Sequence, residues 1–518
     1  MTDLIIKLAM LIVFFGVMVG IGLYCRRHAT DVNGFVLGGR SVGPWLTAFA
    51  YGTSYFSAVV FVGYAGQFGW KYGIAATWAG LGNAFLGSLL AWAVLGRRTR
   101  VMTQHLDSAT MPEFFGKRFG SKALKLCASV IIFIFLIPYT ASLYNGLSRL
   151  FAMAFDIDYS VCVIVMAVLT GIYVIAGGYM ATAINDFIQG IIMIFGISAV
   201  IVAVLKGQGG FLQALQNLAQ VSDETVSSAP GVFASFFGPD PVGLLGVVLL
   251  TSLGTWGLPQ MVQKFYAIKS ESAINKGMII STIFAVIVAG GCYFLGGFGR
   301  LFSDKIDIAA GGYDSVIPTM LSGLPTLLIA VVVILVLSAS MSTLSSLVLA
   351  SSSTLTLDFI KDNMIKNMDE KRQVRWMRSL VVVFIVISVV LALIQYKSSV
   401  TFIAQLMGVS WGALAGAFLA PFLYGLYWKR TTKAACAVSF LFSTVVMLAN
   451  IFARASFPAL LQSPINCGAF CMIAGLVIVP VVSLITKAPA SERVEKVFSC
   501  YNRQVTVSVK DSIGEQTN

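Results

Sequence analysis

The stretch "AFAYGTSYFSAVVFVGYAGQFG", residues 48–69, is apolar enough for a membrane interior and yet reads poorly as one unbroken helix. Gly52, Thr53 and Ser54 stand together, and further glycines follow at 63, 66 and 69. "LLTSLGTWGLPQMVQ" (249–263) has the same character, interrupted by Gly254, Gly257 and Pro259. In a helix interior a glycine costs about 1 kcal/mol and a proline about 3. Backbone groups freed in hydrocarbon find no water, so they must meet protein or line a cavity. The two breaks fall five spans apart, at matching positions in spans 2–6 and 7–11. Interrupted segments at corresponding places in two halves mark an inverted-repeat transporter with its site near the midplane. Taken singly, each is also accounted for by an ordinary kink or by small-residue packing.

The remaining composition fits that setting. The chain has 518 residues, 58% hydrophobic and 11% charged, with a mean hydropathy of +0.87; soluble domains carry about 25% charged residues. Thirteen membrane spans are predicted: 4–24, 43–70, 74–96, 122–153, 158–177, 181–206, 236–263, 277–299, 314–357, 379–396, 399–427, 434–453 and 466–486. The first ends in Cys25-Arg26-Arg27 and lacks a basic leader and a small-residue cleavage site, so it reads as a retained span. The net charge of +13 is a topology signal, not a sign of nucleic acid. Most of the 35 Lys and Arg fall in alternate loops and the tail. The positive-inside rule then gives a multi-pass protein of the cell membrane, N-terminus outside and C-terminus cytoplasmic.

Eight cysteines scattered through apolar runs read as buried thiols, and two histidines, His28 and His105, sit in basic loops. No catalytic constellation, nucleotide loop or metal spacing is visible, so no enzyme is expected and no obligate protein partner is evident. The expected division is a first helix and inner loop (1–41), a transport core (42–428, repeats 42–206 and 236–428), two C-terminal helices (429–487) and a cytoplasmic tail (488–518).

The ninth span raises a second question. "LSASMSTLSS" (337–346) carries six hydroxyls in ten residues, with no charge between Thr326 and Leu357. Ala339, Ser342, Thr343 and Ser346 follow i, i+3, i+4, i+7 and share one helix face, with Ser345 beside it. Carbonyl and hydroxyl oxygens suit a hard cation such as sodium, provided unwound backbone elsewhere completes the shell. Serines bonding back to their own i−4 carbonyls are the structural alternative. Asp186, inside span 6 in "YMATAINDFIQGIIMIFG" (179–196), is a costly intramembrane carboxylate whose natural partner is a cation, and no Lys or Arg lies near it in that span.

With these passages the chain resembles the sodium:solute symporter family, whose members carry sugars, proline, pantothenate, monocarboxylates or sialic acid. The matching stretches are "FVLGGRSVGPWLTA" (35–48), "GIYVIAGGYMATAINDFIQG" (171–190), "GLPQMVQKF" (257–265), "MSTLSS" (341–346) and "GALAGAFLAPFLYGLYWKRTT" (412–432). The resemblance implies an all-α polytopic fold of about 13 transmembrane helices around a LeuT-like core of five-plus-five inverted repeats. It implies a main sodium site from the carbonyls of Thr53, Phe56 and Ala339 and the hydroxyls of Ser342 and Thr343. It also implies a possible second sodium held by Asp186, Ser342, Ser345 and Ser346, with sodium cooperativity in uptake. Substrate is expected at the two breaks, near Ser57, Trp256, Pro259 and Gln260, with Tyr139 and Gln405 as further contacts; free N–H groups at half-helix ends suit a carboxylate.

The resembled activity is sodium-coupled import of a small organic solute by alternating access. Members that carry proline have an aspartate where this chain has Tyr55, and Trp and Tyr where it has Thr251 and Thr255. An organic acid, such as a monocarboxylate or pantothenate, is therefore placed ahead of proline or another amino acid. A transporter-like sensor is a distant alternative, because about 30 polar residues after Lys487 are too few for a signalling domain.

Overall fold

The computed structural model describes residues 2–155, 158–227, 229–365, 367–398 and 403–502. Among them the chain is helical, and its β pairing is limited to two isolated bridges. The first four residues of the predicted span 399–427 and the tail beyond Asn502 lie outside the described residues. Among the described residues ten helices are long and apolar enough to cross a membrane, or eleven with one bent pair counted as a span. The thirteen read from sequence divide two of these ten further. Val59–His105 and Tyr159–Gly207, 47 and 49 residues long, contain Gly73 and Gly178 with φ of 62° and 54°. Only glycine adopts that region without strain, so each is where a long apolar stretch changes direction.

Burial ranks the spans from centre to edge. The most apolar windows of Ile403–Tyr427 and Thr326–Asn363 are 94% and 78% buried, against 17% for Ile5–His28. The hydroxyl-rich helix Thr326–Thr354 is therefore central, with every residue from Val332 onward buried. A buried hydroxyl is costly without a partner; Ser342, Thr343, Ser345, Ser352 and Ser353 each reach a carbonyl, whereas Ser338, Ser340 and Ser351 are buried without one.

The two interrupted spans break in the same way. Pro44–Tyr55 ends at Phe56, whose φ of −85° and ψ of 115° are extended. Pro241–Gly257 ends at Leu258, with φ −80° and ψ 125°, and Pro259–Ala267 continues bent by 46°. One extended residue per break, at corresponding points of two halves, is what the repeat reading requires. Pro259 suits its place because the first helical residue has no intrahelical use for an N–H. After the first break, Val59–Tyr64 runs as a π-helix into Ala65–Tyr72.

The end of the second broken span is tied to the segment that leads into the first. Val42 N donates to Ala267 O at 3.2 Å and Lys269 N to Val42 O at 2.9 Å. Arg40 donates to Tyr266 O at 3.2 Å and to Ser108 O at 2.7 Å. Toward the opposite end of the first broken span, helices meet backbone to backbone: a Cβ on Gly69 would lie 2.0 Å from Gly296 O, and one on Gly296 would lie 2.1 Å from Ala65 O. Seven of the eight cysteines are buried and Cys127 is exposed.

Candidate functional site

The extended residue at the first break turns backbone carbonyls away from their helix and toward the hydroxyl-rich helix. Thr343 Oγ1 lies 3.0 Å from Thr53 O, 3.2 Å from Phe56 O and 3.1 Å from Ala339 O. Ser342 Oγ lies 3.3 Å from Thr53 O and 3.1 Å from Ala339 O. All five residues expected at the main sodium site thus converge, and all five are fully buried. Two hydroxyl protons serve three carbonyls here, so five oxygens hold more lone pairs than the donors can use. A small hard cation would satisfy the surplus without adding bulk. The hydroxyls face the break because they stand one residue apart on a helix that crosses it.

The residues expected at a second ion separate into two groups. Ser345 Oγ donates back to Ser342 O at 2.9 Å, as the structural alternative anticipates. Ser346 Oγ lies 3.0 Å from Ser54 Oγ on the first broken span and accepts from Lys264 Nζ at 3.0 Å. That ammonium is also 3.8 Å from Asp186 Oδ2 and 5.1 Å above the Tyr179 ring. No basic residue lies near Asp186 in its own span, as the sequence indicates, but the seventh span supplies one from across the core. Asp186 and Lys264 are 0% and 2% exposed. Lys264 escaped the sequence reading although "GLPQMVQKF" contains it; it directly follows the predicted span 236–263 and so resembles a flanking charge.

The substrate candidates are distributed as follows. Gln260, one residue into the second half-helix, is 1% exposed, and neither end of its amide has a hydrogen-bond partner. Ser57 Oγ accepts from Val59 N at 3.2 Å and so caps the segment after the first break. Tyr139 has a buried, unpartnered hydroxyl and meets Trp411 edge-on at 5.9 Å. Trp411 itself was not anticipated. Its indole N–H is buried without a partner, and its ring lies over Gly254, where a Cβ would stand 2.6 Å from it.

Two expected contacts are engaged elsewhere. Trp256 Nε1 donates to Leu86 O at 2.9 Å, and Thr255 Oγ1 and Tyr51 OH both donate to Gly87 O, at 2.9 and 2.8 Å. Leu86 and Gly87 belong to the π-helical turn Phe85–Leu90, which is where an extra residue leaves carbonyls to accept from outside. Trp256 therefore braces the second broken span against the third. Gln405 is half-buried and accepts from the exposed Arg454 at 3.4 Å, next to the loop after residue 452.

A buried oxygen cage between an interrupted span and a hydroxyl-lined helix, repeated breaks in two halves and a polar-lined core are the parts of an ion-coupled membrane carrier. A profile of the sodium:solute symporter family matches residues 35–442, and the chain belongs to that family. It is a multi-pass membrane protein and a sodium-coupled solute symporter. It is 28% identical over 482 residues to the osmoregulated proline transporter OpuE of Bacillus subtilis (strain 168), covering 92% of this chain and 94% of that one. It is 29% identical over 453 residues to a sodium/proline symporter of Staphylococcus aureus (strain JH9), covering 85% and 84%. Its fold is shared with a Na+-coupled sialic acid symporter solved in a substrate-bound outward-open state. The TM-score is 0.72 at 16% identity over 94% of this chain and 99% of that one.

Proposed function

We propose that this chain imports a small carboxylate-bearing solute together with sodium, and that proline is the first solute to test. The observation that carries the carboxylate is Gln260. A fully buried amide with no partner is costly, and it stands at the start of a nine-residue half-helix whose free N–H groups favour an anion. Proline comes first because proteins named as proline transporters match nearly the whole chain. A monocarboxylate or pantothenate is the second reading, favoured by Tyr55. Its buried hydroxyl has no partner where an acidic residue would be needed to meet a substrate ammonium.

Solute and ion would share the space between the breaks, with Ser57, Pro259, Gln260 and Tyr139 around the solute, Trp411 closing one side and Trp256 acting as a braced wall. The two repeats, 42–206 and 236–428, would rock about that site, with the N-terminus outside and the C-terminus in the cytoplasm, as the charged loops favour.

The test is uptake into proteoliposomes driven by an inward sodium gradient. Labelled proline should enter in a saturable way that collapses without sodium, while lactate, pyruvate and pantothenate compete weakly. Entry of one of those acids but not proline would select the second reading. Gln260→Ala should raise the half-saturating solute concentration about tenfold or more, the loss of a hydrogen bond to a charged group. Gln260→Glu should abolish uptake by setting like charge against the carboxylate. Equal kinetics in all three proteins would remove Gln260 from the site.

A further inference from the structure

We infer that Lys264 is a resident cation that fills the place opposite Asp186 and Ser346 which a second sodium would otherwise take, so that the chain binds a single sodium. The inference rests on the reading of Thr53, Phe56, Ala339, Ser342 and Thr343 as the main sodium site.

The geometry begins with the carboxylate. Asp186 is wholly buried, and neither of its oxygens accepts a hydrogen bond. A buried carboxylate in that condition depends on a nearby cation for compensation. Lys264 is that cation, at 3.8 Å. Its ammonium is anchored on the same serine that the second ion would use, Ser346, at 3.0 Å, and is braced over Tyr179 at 5.1 Å. A sodium ion in contact with Ser346 and Asp186 would have to displace the ammonium or share its space, and like charge opposes both. A side chain fixed to the backbone does not dissociate, so it supplies charge without contributing to transport stoichiometry.

The placement also connects the pair to the main site. Ser346 follows Thr343 by three residues and Ser342 by four, one turn along the same face. Ser54 Oγ, 3.0 Å from Ser346 Oγ, directly follows the cage carbonyl of Thr53. The Lys264 charge would repel a sodium one turn away were it not neutralised by Asp186. Lys264 stands on Pro259–Ala267, the inner half of the second broken span, Asp186 on Tyr159–Gly207 and Ser346 on Thr326–Thr354. The pair thus joins the segments that border both breaks, and removing one member changes the ion site rather than a remote contact.

The deciding experiment counts bound ²²Na⁺ on the purified full-length chain at saturating sodium, which requires no knowledge of the solute. One sodium per chain is expected in the wild type. Thr343→Ala should weaken that sodium at least fivefold. Lys264→Ala exposes the Asp186 carboxylate beside two serines and should raise the count to two, and Lys264→Ala with Asp186→Asn should return it to one. Asp186→Asn alone leaves the ammonium uncompensated and should weaken the single sodium about tenfold. Lys264→Arg, which keeps a cation in place, should keep the count at one.

Two sodium ions on the wild type overturn the inference, whether or not the Lys264→Ala protein can be purified. So does a count that stays at one in folded Lys264→Ala, or a single wild-type sodium that survives Thr343→Ala and is lost in Asp186→Asn. No sodium on the wild type and one on Lys264→Ala would remove the main site while keeping the lysine's role. No sodium on either would remove both.

Discussion

Replacing Thr343 with valine, which keeps the shape and removes the hydroxyl, should raise the sodium concentration for half-maximal uptake about 5- to 150-fold. The Thr343 hydroxyl touches three carbonyls, Thr53, Phe56 and Ala339, within 3.2 Å. Removing it deletes one ion ligand, leaves Phe56 O without a hydroxyl donor and leaves Thr53 O and Ala339 O sharing the single proton of Ser342. An unmade polar contact of this kind costs about 1–3 kcal/mol, which is the quoted range of affinity. Ser342→Ala should act in the same direction but less strongly, because Ser342 reaches two of the three carbonyls, at 3.1 and 3.3 Å. Thr343→Ser should stay near wild type.

Stability separates an ion effect from a folding effect. Sodium should raise the melting temperature of the wild type and of Thr343→Ser, and raise that of Thr343→Val little at any concentration the wild type responds to. An unchanged sodium requirement in both Thr343→Val and Ser342→Ala would sink the assignment of the cage.

The second large effect is expected at Gly69 and Gly296. Their helices, Ala65–Tyr72 and Gly291–Gly296, approach so closely that an added Cβ at either glycine would fall about 2 Å from a carbonyl oxygen of the other helix, 2.0 Å and 2.1 Å respectively. Overpacked cores usually lose about 1–3 kcal/mol even when a side chain can turn aside. Here the obstacle is backbone in both directions, so the helices would have to separate. Gly69→Ala and Gly296→Ala should each cost about 3 kcal/mol or more and give little monodisperse protein by size-exclusion chromatography. Gly16→Ala is the control, since nothing lies within 4 Å of a Cβ there. Wild-type yield and melting temperature for Gly296→Ala would show that this contact is looser than it stands.

Several features were legible from residues alone because their causes are local or additive. Apolar length identifies membrane spans, since transfer into hydrocarbon sums over residues. Gly257 and Pro259 announce an interruption because their sterics act within one turn, and Leu258 is found extended between them. The shared face of Ser342 and Thr343 follows from helical periodicity, and with the family resemblance it was enough to name five oxygens, of which the fold sets the Thr343 hydroxyl within 3.2 Å of all three carbonyls and the Ser342 hydroxyl within 3.3 Å of two.

What each polar group meets was left to tertiary structure. Within one helix, a serine bonding its own carbonyl and a serine bonding across a break are nearly equal in energy. Packing left Ser345 bonded to its own helix's Ser342 O and gave Thr343 the carbonyls of Thr53 and Phe56 in addition to its own helix's Ala339 O. Trp256 was read as a substrate contact from its place at a break, but the π-helical turn at Leu86 captured its indole N–H. Gln405 likewise has a partner that the sequence does not indicate, the Arg454 guanidinium. Asp186 and Lys264 lie 78 positions apart in the chain and 3.8 Å apart in space. An intramembrane carboxylate reveals by its own cost that it needs a cation, but local sequence cannot distinguish a dissolved sodium ion from an ammonium carried by a distant helix. That choice is made only when the sixth, seventh and ninth spans close on one another, because the electrostatic compensation depends on distance and burial, and neither exists before the helices pack.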